Sequence, residues 1–198
     1  MSAPKPPSAD DAAFRDQLVT LIPHLRAFAR TLTGDATAAD DLAQDAMMKA
    51  WDARASYQMG TNMKAWTFMI LRNQFYSDKR RSWRQTQLDQ EAAERTLVAV
   101  DDPEAPVALD ELRLALATLP EEQREALVLV GAGGFAYEEA AAICNCAVGT
   151  VKSRVSRARR ALAAVLEQGA YARDGRAAGE AMGSILADAD RLSGARQG

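Results

Sequence analysis

Apolar residues recur every three or four positions through most of this chain, and strand signals are almost absent. The first run follows this spacing at Phe14, Leu18, Ile22, Leu25, Phe28 and Leu32. A period near 3.6 residues places such side chains on one face of an α-helix. Pro23 falls inside this run, where a proline bends or divides a helix. The pattern therefore predicts an all-α fold built from short helices.

A stretch of different composition interrupts the helical pattern. Residues 85–106 contain six acids, one base and two prolines, which is typical of a linker. We therefore predict two small helical domains, at residues 10–84 and 107–167, joined by an acidic linker. Residues 168–198 are rich in Ala and Gly and form a C-terminal extension of unknown function, either a short amphipathic helix or a frayed tail.

Residue types that carry catalysis are scarce. His24 is the only histidine and lies within an apolar helical pattern, and Cys144 and Cys146 are the only cysteines. The sequence contains no glycine-rich phosphate loop, nucleophile elbow or metal-spaced cluster. It also lacks the apolar run of about 20 residues that a membrane helix needs, and its first residues lack a secretory signal pattern. We expect a cytoplasmic binding protein, not an enzyme, with no catalytic residue, cofactor, metal or membrane contact.

Positive charge is concentrated near the end of the second domain. Five cations fall within residues 152–160 of a chain whose formal net charge is -3. A short helical pattern, a tight turn at Asn145 and a longer helical pattern precede or contain these cations, which predicts a helix-turn-helix. Asparagine suits the left-handed conformation that such a turn often needs. The stripe that should face inward consists of Val151, Val155, Ala158, Leu162 and Val165.

Clustered cations on a helix repel one another, and a phosphate backbone removes that cost. Thr150 and Ser153 lie near the helix start, where a recognition helix meets base edges. The predicted DNA-binding set is Thr150, Lys152, Ser153, Arg154, Arg157, Arg159 and Arg160. A solvated basic face is the alternative, but such faces usually mix both signs, and no acid lies between Glu139 and Glu167.

The first domain combines cations with aromatic side chains. Seven of the twelve aromatic residues of the chain fall between Trp51 and Trp83. Stacking rings and phosphate-binding cations are what single-stranded nucleic acid requires. Trp51 and Trp66 are more typical of core residues, and the better candidates for exposure are Phe75, Tyr76 and Trp83. The neighbouring cations are Arg72, Lys79, Arg80, Arg81 and Arg84.

The helix before this segment is acidic, with Lys49 opposing Asp35, Asp40, Asp41, Asp45 and Asp52. A solvated acidic face would be the ordinary interpretation of an isolated helix. Next to two DNA-binding surfaces, it favours a docking surface for a basic protein partner.

The stretches DDLAQDAMMKAW, MKAWTFMILRNQFYSDKRR and LPEEQREALVLVGAGGFAYEEAAAICNCAVGTVKSRVSRARRAL resemble the extracytoplasmic-function (ECF) sigma factors of bacteria. The resemblance covers about residues 11–167, and its second part is most similar to the EcfG type of the general stress response. Ala136 and Ala147 depart from it, because Ser and Pro are common at these positions.

The resemblance implies that the first domain is similar to sigma region 2. Its acidic helix would bind the β′ clamp helices of core RNA polymerase through Asp40, Asp41, Gln44, Asp45 and Met48. The segment after it would open the promoter and read the -10 element, with Asn62 near a flipped base. The residues implied for this -10 surface are Asn62, Arg72, Asn73, Phe75, Tyr76, Lys79, Arg80, Arg81, Trp83 and Arg84.

The resemblance further implies that the second domain is similar to sigma region 4 and reads the -35 element in the major groove. Its partners would be core RNA polymerase, both β′ and β, promoter DNA and a small anti-sigma factor of the NepR kind. Two alternatives remain: a sigma-like decoy that binds an anti-sigma factor without promoter DNA, and an ordinary helix-turn-helix regulator.

Overall fold

A computed structural model describes residues 9–58, 60–88 and 107–167, and within these residues every regular element is a helix. The all-α prediction is therefore confirmed. The helices are α1 (Ala9–Thr20), α2 (Ile22–Thr33), α3 (Ala36–Asp52), α4 (Met63–Leu88), α5 (Val107–Ala117), α6 (Glu121–Gly131), α7 (Tyr137–Cys144) and α8 (Val148–Glu167), with a 3₁₀ turn at Arg54–Ser56. The chain divides into two compact units, the first built mainly from α1 to α4 and the second mainly from α5 to α8.

The first predicted helix is divided, as its proline suggested. α1 and α2 are separated at Leu21, two residues before Pro23. Proline is tolerated in the first turn of a helix, where its missing N–H has no intrahelical acceptor to reach. The apolar stripe continues across the break, and Phe14, Leu18, Leu25, Phe28 and Leu32 are all buried.

Aromatic contacts hold the helices of the first unit together. Phe28 of α2 stacks on Phe68 of α4, with ring centroids 4.8 Å apart. At another point Phe14 of α1 contacts Trp66 of α4 and Tyr57, at centroid distances of 6.1 and 5.6 Å. Such offset and edge-to-face pairs contribute about 0.5–1.5 kcal/mol each beyond the area that they bury. These ring contacts therefore fix α4 against the first two helices.

The second unit is built around α8. This helix packs against α5, α6 and α7, and α6 also packs against α7. Its inward stripe is confirmed for Val151, Val155, Ala158 and Leu162, whose exposed fractions lie between 0% and 6%, whereas Val165 is only half-buried. The turn after α6 requires glycine at position 133, because a Cβ there would lie 2.5 Å from the Leu129 carbonyl oxygen.

The helix α4 extends past the predicted start of the linker. α4 continues to Leu88, so the first four residues of the predicted linker are helical. Gln85 to Leu88 include no proline or glycine, and Gln and Leu are good helix formers, so nothing local ends the helix at residue 84. The rest of the linker, residues 89–106, and the extension at 168–198 lie outside the described residues.

Candidate nucleic-acid interface

The turn between α7 and α8 has the geometry of a helix-turn-helix. Asn145 adopts the left-handed conformation, with φ 50° and ψ 52°, as predicted. The Asn145 N–H donates to the Ala142 carbonyl oxygen at 3.2 Å, and the Cys146 N–H donates to that of Ala141 at 3.0 Å. These two bonds form the Schellman motif that ends many helices. α8 begins two residues later, at Val148.

The cations of α8 lie off its buried stripe. Four of the predicted DNA-binding side chains are exposed and three are partly buried. The exposed ones are Lys152, Arg157, Arg159 and Arg160, and the partly buried ones are Thr150, Ser153 and Arg154. The helix therefore presents a cationic surface of at least four side chains, which we call the α8 surface.

Two of these cations are oriented by local contacts. The Arg157 guanidinium donates to the Ser153 hydroxyl at 3.0 Å and to the Ser153 carbonyl oxygen at 3.3 Å. The Lys152 Nζ lies 5.8 Å from the ring centre of Tyr137, at the start of α7. Both contacts are weak and exposed, so neither removes the cation from a phosphate partner.

Arg154 has a different environment from the other cations. Its side chain is only 15% exposed, and its guanidinium forms an ion pair with Glu122 of α6. The second terminal nitrogen of the same guanidinium lies 3.7 Å from the Cys146 Sγ in the turn. The predicted DNA-binding set is therefore not uniform, because the Arg154 side chain is mostly covered and paired with a residue of α6, whereas four other members are exposed.

The middle of α4 pairs cations with rings. The Arg72 guanidinium lies 4.5 Å from the ring centre of Tyr76, and the Lys79 Nζ lies 5.8 Å from that of Phe75. The two rings contact each other edge to face at 5.2 Å. Both aromatic side chains are partly buried. This stretch consequently combines π-faces and positive charge on one helix.

Most of the exposed members of the same surface lie in the last turns of α4. Trp83 is 68% exposed. The other exposed predicted members are Asn73, Lys79, Arg80, Arg81 and Arg84. Asp78 is the acid among them, and it pairs with Arg81 at 3.5 Å and accepts from the Gln74 amide at 2.6 Å. The α4 surface, defined as the predicted site residues within 72–84, therefore has two cation–ring pairs in the middle of the helix and exposed cations with Trp83 near its end.

Asn62 lies at the start of α4 and caps it. Its side-chain oxygen accepts the Ala65 N–H at 3.0 Å, and the side chain is exposed. The preceding loop is fixed by the Tyr57 hydroxyl, which donates to the Thr61 carbonyl oxygen at 2.6 Å. Gly60 has φ 88°, a conformation that L side chains rarely adopt. The loop thus presents Asn62 at a defined position.

The acidic helix α3 has one buried and one open face. Leu42, Ala43, Ala46 and Ala50 are among its buried residues. On the open face, Asp41, Gln44 and Met48 are exposed and Asp45 is partly exposed. Asp40 pairs with Arg26 of α2 at 3.2 Å. Met48 is 61% exposed, so this face offers one large apolar side chain among polar ones. We call residues 40–48 on this side the α3 surface.

Two protein-family models match this chain, one in each half. The Sigma-70 region 2 model matches residues 18–85, and the Sigma-70 region 4 model matches residues 109–162. The ECF RNA polymerase sigma factor EcfG of Rhodopseudomonas palustris is 49% identical over 154 residues, covering 78% of this chain and 85% of that protein. The chain belongs to the ECF RNA polymerase sigma factors.

Other relatives of this sigma factor agree. ECF RNA polymerase sigma factor SigC of Mycobacterium tuberculosis is 35% identical, over 67% of this chain and 72% of that protein. Among solved structures, the sigma factor RpoE from Bartonella quintana, in complex with the anti-sigma factor NepR, matches with a TM-score of 0.71 and 45% identity. That match covers 78% of this chain and 97% of the RpoE chain.

A more distant structure shows the same fold. CnrH, in complex with the cytosolic domain of CnrY, matches with a TM-score of 0.62 at 24% identity. Within residues 9–58, 60–88 and 107–167 of the sigma factor, no helix is long and apolar enough to cross a membrane. The same residues contain no group of three or more His, Cys, Asp and Glu side chains that could hold a metal ion.

Sequence reasoning missed the side chains that hold this sigma factor's surfaces in place. Glu122 is 32 residues from its partner Arg154, so no local spacing relates them. Lys49 of α3 donates to the Gln74 side chain of α4, and these residues are 25 apart. The Asn62 cap was available as a signal, because Asn is a favoured residue immediately before a helix.

Proposed function

We propose that this sigma factor binds core RNA polymerase through the α3 surface and directs transcription initiation at specific promoters, acting in the cytoplasm in a general stress response. The observation that carries the proposal is the separation of charge. Two exposed cationic surfaces, on α4 and α8, stand on different units, while the α3 surface is anionic and includes an exposed methionine. One protein of this kind can hold DNA at two places and a protein partner at a third.

We assign the α4 surface and Asn62 to the -10 element. Exposed Trp83 and the partly exposed rings of Phe75 and Tyr76 offer stacking faces to unpaired bases. The cations around them hold the phosphates of the opened strands. Single-stranded DNA is the substrate that this mixture of rings and cations suits, because every base has a π-face.

We assign the α8 surface to the -35 element. In this assignment, residues near the start of α8 meet base edges in the major groove, and Arg157, Arg159 and Arg160 meet phosphates. The exposure of these cations supports this assignment over a sigma-like decoy, which has no need of a basic recognition helix. The alternative hypothesis of an ordinary helix-turn-helix regulator would account for α7 and α8 but gives no role to the α4 surface.

Control by a small anti-sigma factor of the NepR kind is the second part of the proposal. It is supported by the 45% identity to the RpoE protein of the NepR complex. The partner would have to cover at least one of the three surfaces in order to block initiation. Core polymerase, through β′ and β, and promoter DNA are the remaining partners that we propose.

The decisive experiment is run-off transcription with purified core polymerase and fragments of bacterial genomic DNA. We expect promoter-dependent transcripts only when this protein is added, and their loss when a NepR-type protein is added first. Absence of any transcript, with a core enzyme shown to be active with another sigma factor, would overturn the proposal. Transcripts that a NepR-type protein leaves unchanged would overturn the anti-sigma part alone.

A further inference from the structure

Arg154 occupies a closed position that its neighbours on α8 do not share. Its side chain is 15% exposed, whereas Lys152, Arg157, Arg159 and Arg160 are exposed. On a helix, residue 154 lies beside the buried stripe formed by Val151 and Val155, so its stem follows the edge of the core. The Arg154 side chain is therefore mostly covered by the second unit, and its guanidinium ends at Glu122, whose side chain is 64% exposed.

The contacts of Arg154 join three elements. Nη2 pairs with Glu122 in the first turn of α6, and Nη1 lies 3.7 Å from the Cys146 Sγ in the turn before α8. Arg154 itself belongs to α8. A planar guanidinium with donors in a fixed fork is suited to holding several groups at a defined angle. The Arg154 side chain therefore links α6, the turn and α8.

The same ion pair also separates like charges. Arg154 and Arg157 are three residues apart, a spacing at which helical side chains are neighbours and like charges destabilise. Pairing with Glu122 draws the Arg154 charge towards α6, while Arg157 is held along α8 by Ser153. As a result of the Arg154–Glu122 pair, Arg157 is the cation that remains exposed on this side of α8.

We propose that Arg154 is a positioning residue of the recognition helix and that Glu122 is its partner in this role. This inference rests on the proposed -35 function of α8. Arg154 sets the position of α8 relative to α6 and the turn, and Arg157 and Lys152 meet the DNA. To touch DNA itself, Arg154 would have to break the Glu122 pair and leave the Cys146 contact.

The two roles predict different salt dependences. An arginine that neutralises a phosphate contributes to counterion release, so its loss lowers the slope of log K against log salt concentration by about 0.9. A positioning residue that never meets a phosphate lowers affinity when it is lost but leaves this slope unchanged. Arg157 serves as the matched control, because it lies on the same side of α8 and is exposed.

The test uses holoenzyme assembled from core polymerase and the full chain, with a promoter fragment recovered from wild-type run-off transcription as the probe. We expect Arg154→Met to weaken binding by at least about twofold, the lower end of the coupling between residues in contact, with an unchanged salt slope. Arg157→Met should lower the slope by about one. A lowered slope for Arg154→Met would overturn the inference.

A charge exchange gives a second and independent readout. Arg154→Glu alone should weaken promoter binding strongly, because it faces Glu122 with a like charge. The double variant Glu122→Arg, Arg154→Glu restores an ion pair of the same combined length and should recover most of that loss. Glu122→Gln alone should weaken binding, because Arg154 stays but is no longer held. If the double variant binds as poorly as Arg154→Glu, or if Glu122→Gln binds as well as wild type or better, Arg154 is a DNA contact and the inference is wrong.

Two controls keep the outcomes separate. Thermal unfolding of each variant shows whether the second unit still folds, and a variant that does not fold is replaced by Arg154→Lys, which keeps the charge but loses the fork. We expect Arg154→Lys to weaken binding with an unchanged slope, and wild-type affinity for it would contradict the inference. If the wild-type protein yields no promoter fragment at all, the proposed function fails instead.

Discussion

The Cys146 N–H donates to the carbonyl oxygen of Ala141 at 3.0 Å, across a turn whose middle residue has a positive φ. This bond caps the C-terminus of α7, and the chain then reverses direction into α8. Since Asn145 supplies the positive φ, the orientation of the recognition helix depends on one residue that tolerates the left-handed conformation.

Replacing Asn145 should therefore distinguish conformation from side-chain chemistry. We expect Asn145→Ala to destabilise the protein by about 1 kcal/mol, because a Cβ without a compensating polar group is strained at positive φ. Asn145→Gly should be tolerated, because glycine adopts this conformation without strain. Urea unfolding followed by circular dichroism measures both. Equal stability of the two variants would show that the turn does not need the left-handed conformation.

The start of α7 has half of a capping box. The Glu139 carboxylate accepts a hydrogen bond from the Ala136 N–H at 2.9 Å. Ala136 has no side-chain oxygen, so it cannot accept the reciprocal bond from the Glu139 backbone N–H. Ala136→Ser should complete the box and raise the free energy of unfolding by about 1 kcal/mol. Ala142→Ser, at an exposed site inside the same helix, is the control and should lower stability slightly. A stabilised control or an unchanged Ala136→Ser would contradict this account.

Trp83 is the most exposed ring of the α4 surface, with 68% of its surface open. If it stacks on unpaired bases, Trp83→Ala should weaken the open complex by about 1–3 kcal/mol, the range for base–aromatic stacking. Permanganate reactivity of unpaired thymines near the start site reports the opened fraction. Trp83→Phe should restore most of it. Normal opening by Trp83→Ala would remove this side chain from the proposed -10 surface.

The α3 surface should bind polymerase without contributing to DNA binding. Replacing Asp41 and Asp45 by Asn removes two charges from its open face and should weaken core binding, with the larger loss at low salt. Asp16→Asn is the matched control, because this exposed acid lies on α1 and pairs only locally with Arg15 in the contacts described. Fluorescence anisotropy of labelled protein titrated with core polymerase measures the affinity. Equal losses for the control would indicate a general effect of net charge.

Local patterns predicted the elements and failed at their distant partners. The period of three and four found the buried stripe of Val151, Val155, Ala158 and Leu162, and the preference of asparagine for positive φ identified the turn. The burial of the aromatic residues was harder to predict, because a ring at helical spacing can face either the core or solvent. Trp51 and Trp66, expected in the core, are only partly buried.

The position of Arg154 shows why the rest was not predictable. In sequence it is one of five similar cations, and its distinction comes from Glu122, which the packing of α6 on α8 brings to it. No periodicity within one helix contains that information. For the same reason, composition did not indicate the residue at which α4 ends.

The central claim is that separate surfaces of one chain hold polymerase and promoter. The most direct measurement compares core affinity and promoter affinity, side by side, for Arg157→Ala and for the double variant Asp41→Asn, Asp45→Asn. We predict that Arg157→Ala binds core polymerase as wild type does while its holoenzyme binds promoter more weakly, and that the acidic double variant loses core affinity. Equal losses of both affinities in both variants would contradict the claim.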